Sequence, residues 1–488
     1  MDSMKVKIRL IIICLASTLS GFGTQSAPAS ETRVDAAGGL TTVMTDETNN
    51  LDLFLDGNPA GLALLKTRDR VDLTGQWAYL DPQSPGPGLP QQSFSTVPRL
   101  TNDDEIHYGG LMTFSPQWAF QIAGDYLNLQ GQSDFLDVPS SSQRYRELLR
   151  GAFNAGPFAL GLEITNLEID AAYTTGIFNA NAGLASGSSN DNKTLVRAGV
   201  LTTFPENPAE DSPRWQAGGI FETQMGPDDK NIKVTLIDPS SNPFTLQRTN
   251  SQSSYFFFGP ELHYEIPGRF ILRFSSMITN YNTGLQQTVS PNSALVLNLG
   301  EYQLSQFQSM NNTGFFRLTL PLSGRESLKL GGGLTALLTN VDLLGAGQNV
   351  YDTQNRQHIF GSLGIGLETT GDSIWAVQFK SQNYVHNEQT VSKTPSLTSN
   401  DFDSYQIAIG GEKNLSPVCA LRLGLITESD FLSQSDDTLT TSLTAGFGLK
   451  EGGFNLDVKC LGGKLFNLED SSNTALLMGF EIAGTFFL

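Results

Sequence analysis

The amino-acid sequence predicts an all-β chain: a transmembrane antiparallel up-and-down β-barrel of about eighteen strands with a small N-terminal plug. Three observations predict it. Apolar and polar residues alternate in segment after segment from Val71 onward. Ionisable residues collect on one phase of that alternation. Short turns and long polar loops follow one another in turn, the asymmetry of a barrel with periplasmic turns and external loops.

The mean hydropathy of -0.16 and the 39% hydrophobic content are too polar for a helical membrane protein, whose spans need about 20 consecutive apolar residues. No such run exists in the sequence. A barrel hides its apolarity, because only every second residue of each strand meets lipid.

Residues 1–29 read as a secretory signal peptide. Lys5, Lys7 and Arg9 precede the apolar stretch Leu10 to Leu19, and small residues ending in Ala27-Pro28-Ala29 follow, with removal expected between Gly23 and Ala29. The apolar run is too short for a membrane anchor. Cys14 follows Ile11-Ile12-Ile13 and not the small residue that precedes an acylated cysteine. Residues 1–29 hold three basic residues and one acidic, so their removal takes the formal charge from -19 to -21. Such a chain repels nucleic acid, whereas acidic external loops can bind divalent cations together with lipopolysaccharide. Cys419 and Cys460 remain in the mature chain, too few for a disulfide-stapled domain. Both fall on apolar outward positions and are expected to be free.

Residues 71–488 are the predicted barrel. Its clearest hairpin runs from Ser254 to Thr279. Phe256, Phe258, Leu262, Tyr264 and Ile266 share one phase, and Tyr255, Glu261, His263 and Glu265 the other. Pro267-Gly268-Arg269 turns the chain. Phe270, Leu272, Phe274 and Ile278 then return on the apolar phase, and a three-residue turn keeps both apolar sets on one face. Further short turns are expected at Ser115 to Gln117, Asn154 to Pro157, Ser323 to Glu326, Thr369 to Ser373, Lys413 to Pro417 and Glu451 to Gly453. Asp81 to Glu105, Gly226 to Gln252 and His386 to Asp401 read as external loops. Strands of about ten to thirteen residues give about eighteen in all, within a range of about fourteen to twenty. Both chain ends then lie on the periplasmic side.

Charge placement is the strongest internal support. Asp125, Arg146, Arg150, Glu163, Arg197, Glu222, Glu261, Glu265, Arg273, Arg317, Lys329, Glu368, Lys380, Glu412, Arg422, Lys450, Asp457, Lys459 and Glu481 all fall on the inward phase. Glu147, Glu168 and Lys464 are outward and are assigned to the external rim. An Arg or Lys facing lipid at mid-bilayer costs about 2 to 4 kcal/mol, which accounts for the sorting. A soluble sandwich would turn its apolar face inward and could not hold so many ions in its core. The final segment, Thr474 to Leu488, places Leu476, Met478, Phe480, Ile482, Phe486 and Leu488 on one phase. It is similar to the closing strand read by the outer-membrane assembly machinery.

Residues 30–70 lack sustained alternation. Leu51, Leu53 and Leu55 alternate briefly, and Asn58-Pro59 then suits the start of a short helix through about Lys66, since Asn caps free N–H groups and Pro fits the first helical position. This leader is expected inside the lumen as a plug, or else as a periplasmic extension. The run Asn58-Pro59-Ala60-Gly61-Leu62-Ala63 just before the first strand resembles the long-chain fatty-acid transporter (FadL) family, whose members carry an Asn-Pro-Ala motif in an N-terminal hatch. That family's barrel has fewer strands than the eighteen counted here. The resemblance implies passive uptake of hydrophobic compounds after the hatch shifts, with plug residues Asn58, Pro59 and Ala60.

The inward residues Glu261, His263, Glu265, Arg273, Arg317 and Lys329 are the expected lumen-lining charges. The group Glu261, His263, Glu265 and Arg273 reads as a cross-strand ladder on one hairpin, with a constriction or ligand contact as the other reading. Catalysis is not expected. The histidines His107, His263, His358 and His386 stand in no nucleophile motif, and no metal, phosphate or haem motif is present. No cofactor is implied. The expected function is that of an integral outer-membrane channel or transporter for hydrophobic small molecules, partnered by outer-membrane lipid, lipopolysaccharide and the assembly machinery. A general diffusion porin and a structural or secretion-associated barrel remain as alternatives.

Overall fold

Phe158, Leu160, Leu162 and Ile164 recur at every second position, so an extended backbone sends all four to one side and Ala159, Gly161, Glu163 and Thr165 to the other. In the computed structural model the first set is exposed on the outer wall, while Ala159, Glu163 and Thr165 are buried on the inner one. The structure describes residues 37, 40–44, 58–64, 69–81, 99–115, 117–132, 141–175, 185–205, 212–226, 231–237, 243–290, 302–322, 326–345, 350–369, 373–390, 396–430, 438–467 and 476–487. Residues 1–29 and the Leu51, Leu53, Leu55 alternation lie outside them.

The strands are β1 (Arg70–Asp81), β2 (Arg99–Ser115), β3 (Trp118–Gln132), β4 (Ser141–Asn154), β5 (Phe158–Thr175), β6 (Ala185–Phe204), β7 (Arg214–Met225), β8 (Asn231–Ile237), β9 (Pro243–Ile266) and β10 (Phe270–Ser290). They continue as β11 (Tyr302–Pro321), β12 (Ser327–Gly345), β13 (Val350–Thr369), β14 (Ser373–Thr390), β15 (Ser396–Ser416), β16 (Cys419–Asp430), β17 (Thr438–Glu451), β18 (Phe454–Asn467) and β19 (Leu476–Phe487). Every pairing is antiparallel, and β1 joins β19 from Arg70↔Phe487 to Asp81↔Leu476, which closes the sheet. Closure removes both sheet edges, the condition for backbone to cross lipid.

Nineteen segments make eighteen staves. β7 and β8 occupy the same place between β6 and β9: Met225 lies opposite Thr194, and Asn231 opposite Asn190. The stretch read as the loop Gly226 to Gln252 is therefore largely strand. Strands also run through parts of Asp81 to Glu105 and His386 to Asp401, and β9 reaches 24 residues where ten to thirteen were expected. Much of these extensions, such as Gln247 to Ser254 of β9, is polar on both faces, so alternation does not reveal it, and the alternation of β8 is only seven residues long.

The short turns gather with Arg70 and Phe487 at one end, the periplasmic end in barrels of this type. At the Pro267-Gly268-Arg269 turn, Gly268 has φ +68, a left-handed conformation that glycine adopts without a Cβ clash. The outer wall carries Leu272, Phe274, Leu363, Ile365, Trp375, Val377, Ile407, Ile409, Leu423 and Phe447, all exposed. A surface this apolar is stable only against hydrocarbon. The chain is an outer-membrane-type β-barrel.

Of the inward charges, Asp125, Arg150, Glu163, Glu222, Arg317, Glu412, Arg422, Asp457 and Glu481 are buried. Lys450 is exposed, beside the turn that begins at Glu451. Glu147 and Glu168 are exposed, and the side chain of Lys464 lies outside the described residues. Cys419 and Cys460 are free thiols.

Candidate functional site

The leader docks on the inner wall near the short-turn end. Ala119, Ala152, Gly161 and Gly199 stand in register across β3, β4, β5 and β6. All four are inward and small, so together they leave a shallow groove that crosses the strands. Asn58–Leu64 lies in that groove. A Cβ on Gly161 would overlap the Ala60 nitrogen and the Pro59 carbonyl carbon, and one on Gly199 would overlap Asn58 Oδ1. The absent side chains are what let backbone approach backbone here.

Asn58 anchors the segment and is 0% exposed. Its Nδ2 donates to the Val200 carbonyl on β6 at 2.9 Å, the Gly219 carbonyl on β7 at 3.3 Å and Glu261 Oε1 on β9 at 2.5 Å. Its Oδ1 accepts from the Ala60 N–H at 3.0 Å, and its carbonyl accepts from the Gly61 N–H at 2.9 Å. Both capping contacts hold a 3-10 helix, Pro59–Leu64, where an α-helix to about Lys66 was expected. Each contact closes a tighter turn than an α-helix would, and the segment is short, the usual setting for 3-10 geometry. Leu62 packs on Leu111, Ala119 and Ala152, and Ala60 packs on Ala159 and Leu201. Asn58→Ala is expected to raise backbone amide exchange at Ala60 and Gly61 by about tenfold or more, from the loss of a charge-assisted bond and its companions. Unchanged protection in hydrogen-exchange mass spectrometry would count against this anchor.

A second part of the leader sits on the opposite wall. Leu40, Val43 and Met44, the last two in the short helix α1 (Thr41–Met44), are buried with Ala37 against Ile374 and Ala376 on β14 and Ala408 on β15. Each buried aliphatic side chain contributes about 1.5 to 3 kcal/mol before the entropy of ordering the segment is set against it. The leader leaves the lumen at Asp69, whose Oδ1 accepts from the Thr113 N–H at 2.9 Å and hydroxyl at 2.6 Å.

Two residues further from the short turns, the same strands carry a row of charges. Gln121, Arg150, Glu163, Arg197 and Glu222 are in register across β3, β4, β5, β6 and β7. Arg150 Nε donates to Glu163 Oε2 at 2.7 Å, and Arg150 Nη2 pairs with the same oxygen. Arg197 Nε donates to Glu222 Oε2 at 2.6 Å, and the Tyr255 hydroxyl donates to Glu222 Oε1 at 2.7 Å. Signs alternate along the row, so each buried charge meets an opposite one.

The predicted lumen charges are placed on the inner wall, and several of their contacts reach beyond the one hairpin. Glu261 receives Asn58 of the leader. Glu265 pairs with Arg214 of β7 at 2.8 Å, and His263 Nδ1 lies 3.1 Å from Gln216 Oε1. These partners come from β7 and the leader because β9 presents this face to both, and His263 Nε2 also lies 3.8 Å from Glu265 Oε2 within β9. Arg273 is in register with His263, and Arg317 with Ile271. Lys329 pairs with Glu368 at 3.2 Å on the far wall. Asn58, Pro59 and Ala60 are thus brought together with Glu261, while Arg317 and Lys329 stand apart. Sequence reading missed the Ala37–Met44 contact and the groove, whose only trace was small residues on the inward phase.

No family model and no curated relative matches the chain. Among solved structures, the CymD monoaromatic hydrocarbon channel is similar at 9% identity and a TM-score of 0.39, over 93% of this chain and 97% of that one. The Pseudomonas putida toluene transporter TodX is similar at 10% identity and 0.33, over 96% and 99%. The Yersinia pestis ferric yersiniabactin uptake receptor FyuA is similar at 9% and 0.36, over 86% and 80%. At these values the likenesses assign no function, and the fold rests on the strand pairing itself.

Proposed function

We propose that this chain is a FadL-like passive transporter that admits hydrophobic small molecules through the outer membrane, with residues 30–70 as its plug. The observation that carries the reading is the docked Asn58–Leu64 segment, wedged in a groove cut for it and tied by one asparagine to three strands. Barrels of roughly 16 to 18 strands leave an aqueous channel unless something fills it. The leader also covers two apolar patches of the inner wall, one around Leu111 and Leu201 and one around Ile374 and Ala408. A shift of the leader uncovers both, giving an apolar solute surfaces to rest on. The interior holds no energy source in this scheme, so flux follows the concentration gradient.

The test is uptake by whole cells expressing the chain, comparing a radiolabelled long-chain fatty acid with a sugar. Faster entry of the acid alone is expected. Equal acceleration of both would establish a general porin, and no change in either would favour a structural or secretion-associated barrel. The plug is tested separately with Gly199→Val, whose side chain occupies the place of Asn58 Oδ1. It is expected to raise ion conductance in planar bilayers severalfold while the barrel still forms. Wild-type conductance in that variant would remove the plug from the proposal.

A further inference from the structure

Further from the short turns than Arg273 on β10, Arg317 on β11 and Lys329 on β12, the inward phase holds no carboxylate and no basic side chain as far as Tyr281, Phe307 and Val341. Other parts of the inner wall differ. Arg197 and Glu222 pair there on β6 and β7, Arg422 and Asp457 on β16 and β18, and Lys459 and Glu481 on β18 and β19.

The uncharged strip has an order of its own. Tyr281, Phe307 and Val341 stand in register across the three strands, and Thr279, Ser309 and Thr339 do so two residues nearer the short turns. Met277, Asn311 and Leu337 follow, and then Ser275, Thr313 and Thr335. Rows of mainly apolar side chains therefore alternate with rows of hydroxyls. Successive rows lie about 7 Å apart, two residues of strand. All of these side chains are partly exposed, so a solute in the lumen can touch them. Toward the short turns the strip leads to the plug, because α1 of the leader lies against β11, β12 and β13.

We propose that this strip binds small neutral aromatic solutes that carry a hydroxyl, namely phenols and aryl alcohols, on their way to the leader. A ring resting on Met277 and Leu337 has a hydroxyl row about 7 Å away on either side, within reach of a hydrogen bond from its substituent. Ser and Thr hydroxyls both donate and accept, so they serve a neutral O–H in either sense. A carboxylate on so small a solute gives up water and meets no cation among the positions beneath it, which is costly. A long-chain acid differs, since its tail can lie on the strip while its carboxylate lies beyond, near Arg273 beside His263 or Arg356 beside Thr339. This solute class deepens the passive uptake proposed above. Labelling reads binding and not passage, so its failure would leave the uptake assay to decide transport by itself.

The test uses full-length protein in nanodiscs and two photoaffinity probes, a benzyl alcohol bearing a trifluoromethyl diazirine and the benzoate bearing the same group. Labelled residues are located by peptide mass spectrometry, and the strand's period of two separates inward label from lipid-facing label. The alcohol is expected to mark Met277, Phe307 and Leu337 about tenfold more than the benzoate does, and excess phenol is expected to suppress that marking. Leu337→Glu places a charge on the strip and is expected to cut the alcohol's label at Met277 and Phe307 by about tenfold. A lumen-facing charge is compatible with the barrel, and resistance of the cold barrel to detergent unfolding verifies its assembly. Thr339→Val keeps the side-chain shape without the hydroxyl, is expected to lower the label severalfold, and serves should Leu337→Glu fail to assemble. Equal marking by the two probes, alcohol label confined to outward residues such as Met310 and Leu338, or unchanged label in an assembled variant would each overturn the proposal.

Discussion

Deletion of residues 30–68 is expected to raise single-channel conductance by about tenfold or more, because an eighteen-stave barrel without its filling leaves an aqueous lumen. The deletion spares Asp69, which accepts from Thr113, and Arg70, which pairs with Phe487 and opens β1. The closing seam is therefore kept. What is lost is the Leu40, Val43 and Met44 contact with one wall and the Asn58–Leu64 contact with the other. Each rests on neighbouring staves, and the two sets of staves lie far apart around the ring, so in this proposal the leader is held from both sides. Planar-bilayer recordings on the deleted chain, with detergent resistance to verify assembly, decide the matter. Equal conductance of the two proteins would mean that the leader does not close the pore.

The second large effect is expected at Arg150, which is 1% exposed and lies between Gln121 and Glu163 in the inner row. Arg150→Met keeps much of the apolar stem but removes the guanidinium, leaving Glu163 with Arg197 at 3.7 Å and the Thr165 hydroxyl at 3.0 Å. Breaking a buried pair costs about 3 to 5 kcal/mol where the other charge is left uncompensated, and the remaining Arg197 contact places the loss here toward the lower end of that range. Urea unfolding in lipid vesicles reads that loss as a lower midpoint. Adding Glu163→Gln is expected to restore part of it, because the remaining group is neutral and still satisfied. A midpoint that does not move on Arg150→Met would show that solvent in the lumen screens the row.

The alternation around Phe256, Phe258 and Leu262 was enough to name the outward face, because a strand repeats every two residues and lipid tolerates only one kind of side chain. Glu163, Glu222, Arg422 and Glu481 could be turned inward on the same grounds. The strand number came within reach for a similar reason, as turns such as Pro267-Gly268-Arg269 carry local chemistry of their own. Along Gln247 to Ser254 of β9 both faces are polar and the alternation vanished, and in β8 the alternation of Ile232, Val234 and Leu236 is only seven residues long, so both were read as loop.

Partners across the wall were a different kind of question. Nothing in the local pattern says that Glu261 meets Asn58, 203 positions away, or that Glu265 meets Arg214. Those choices follow from cross-strand register and from where the leader rests, both set by the summed pairing of all eighteen staves. The same holds for the groove: Ala119, Ala152, Gly161 and Gly199 are unremarkable one at a time and become a binding surface only when the strands align them. Residue chemistry and its period of two determined by themselves that this chain is a barrel with an apolar outside and a charged inside. Only closure of the sheet decided which inner residues touch and where the leader docks, because those contacts join positions that the backbone does not hold near one another.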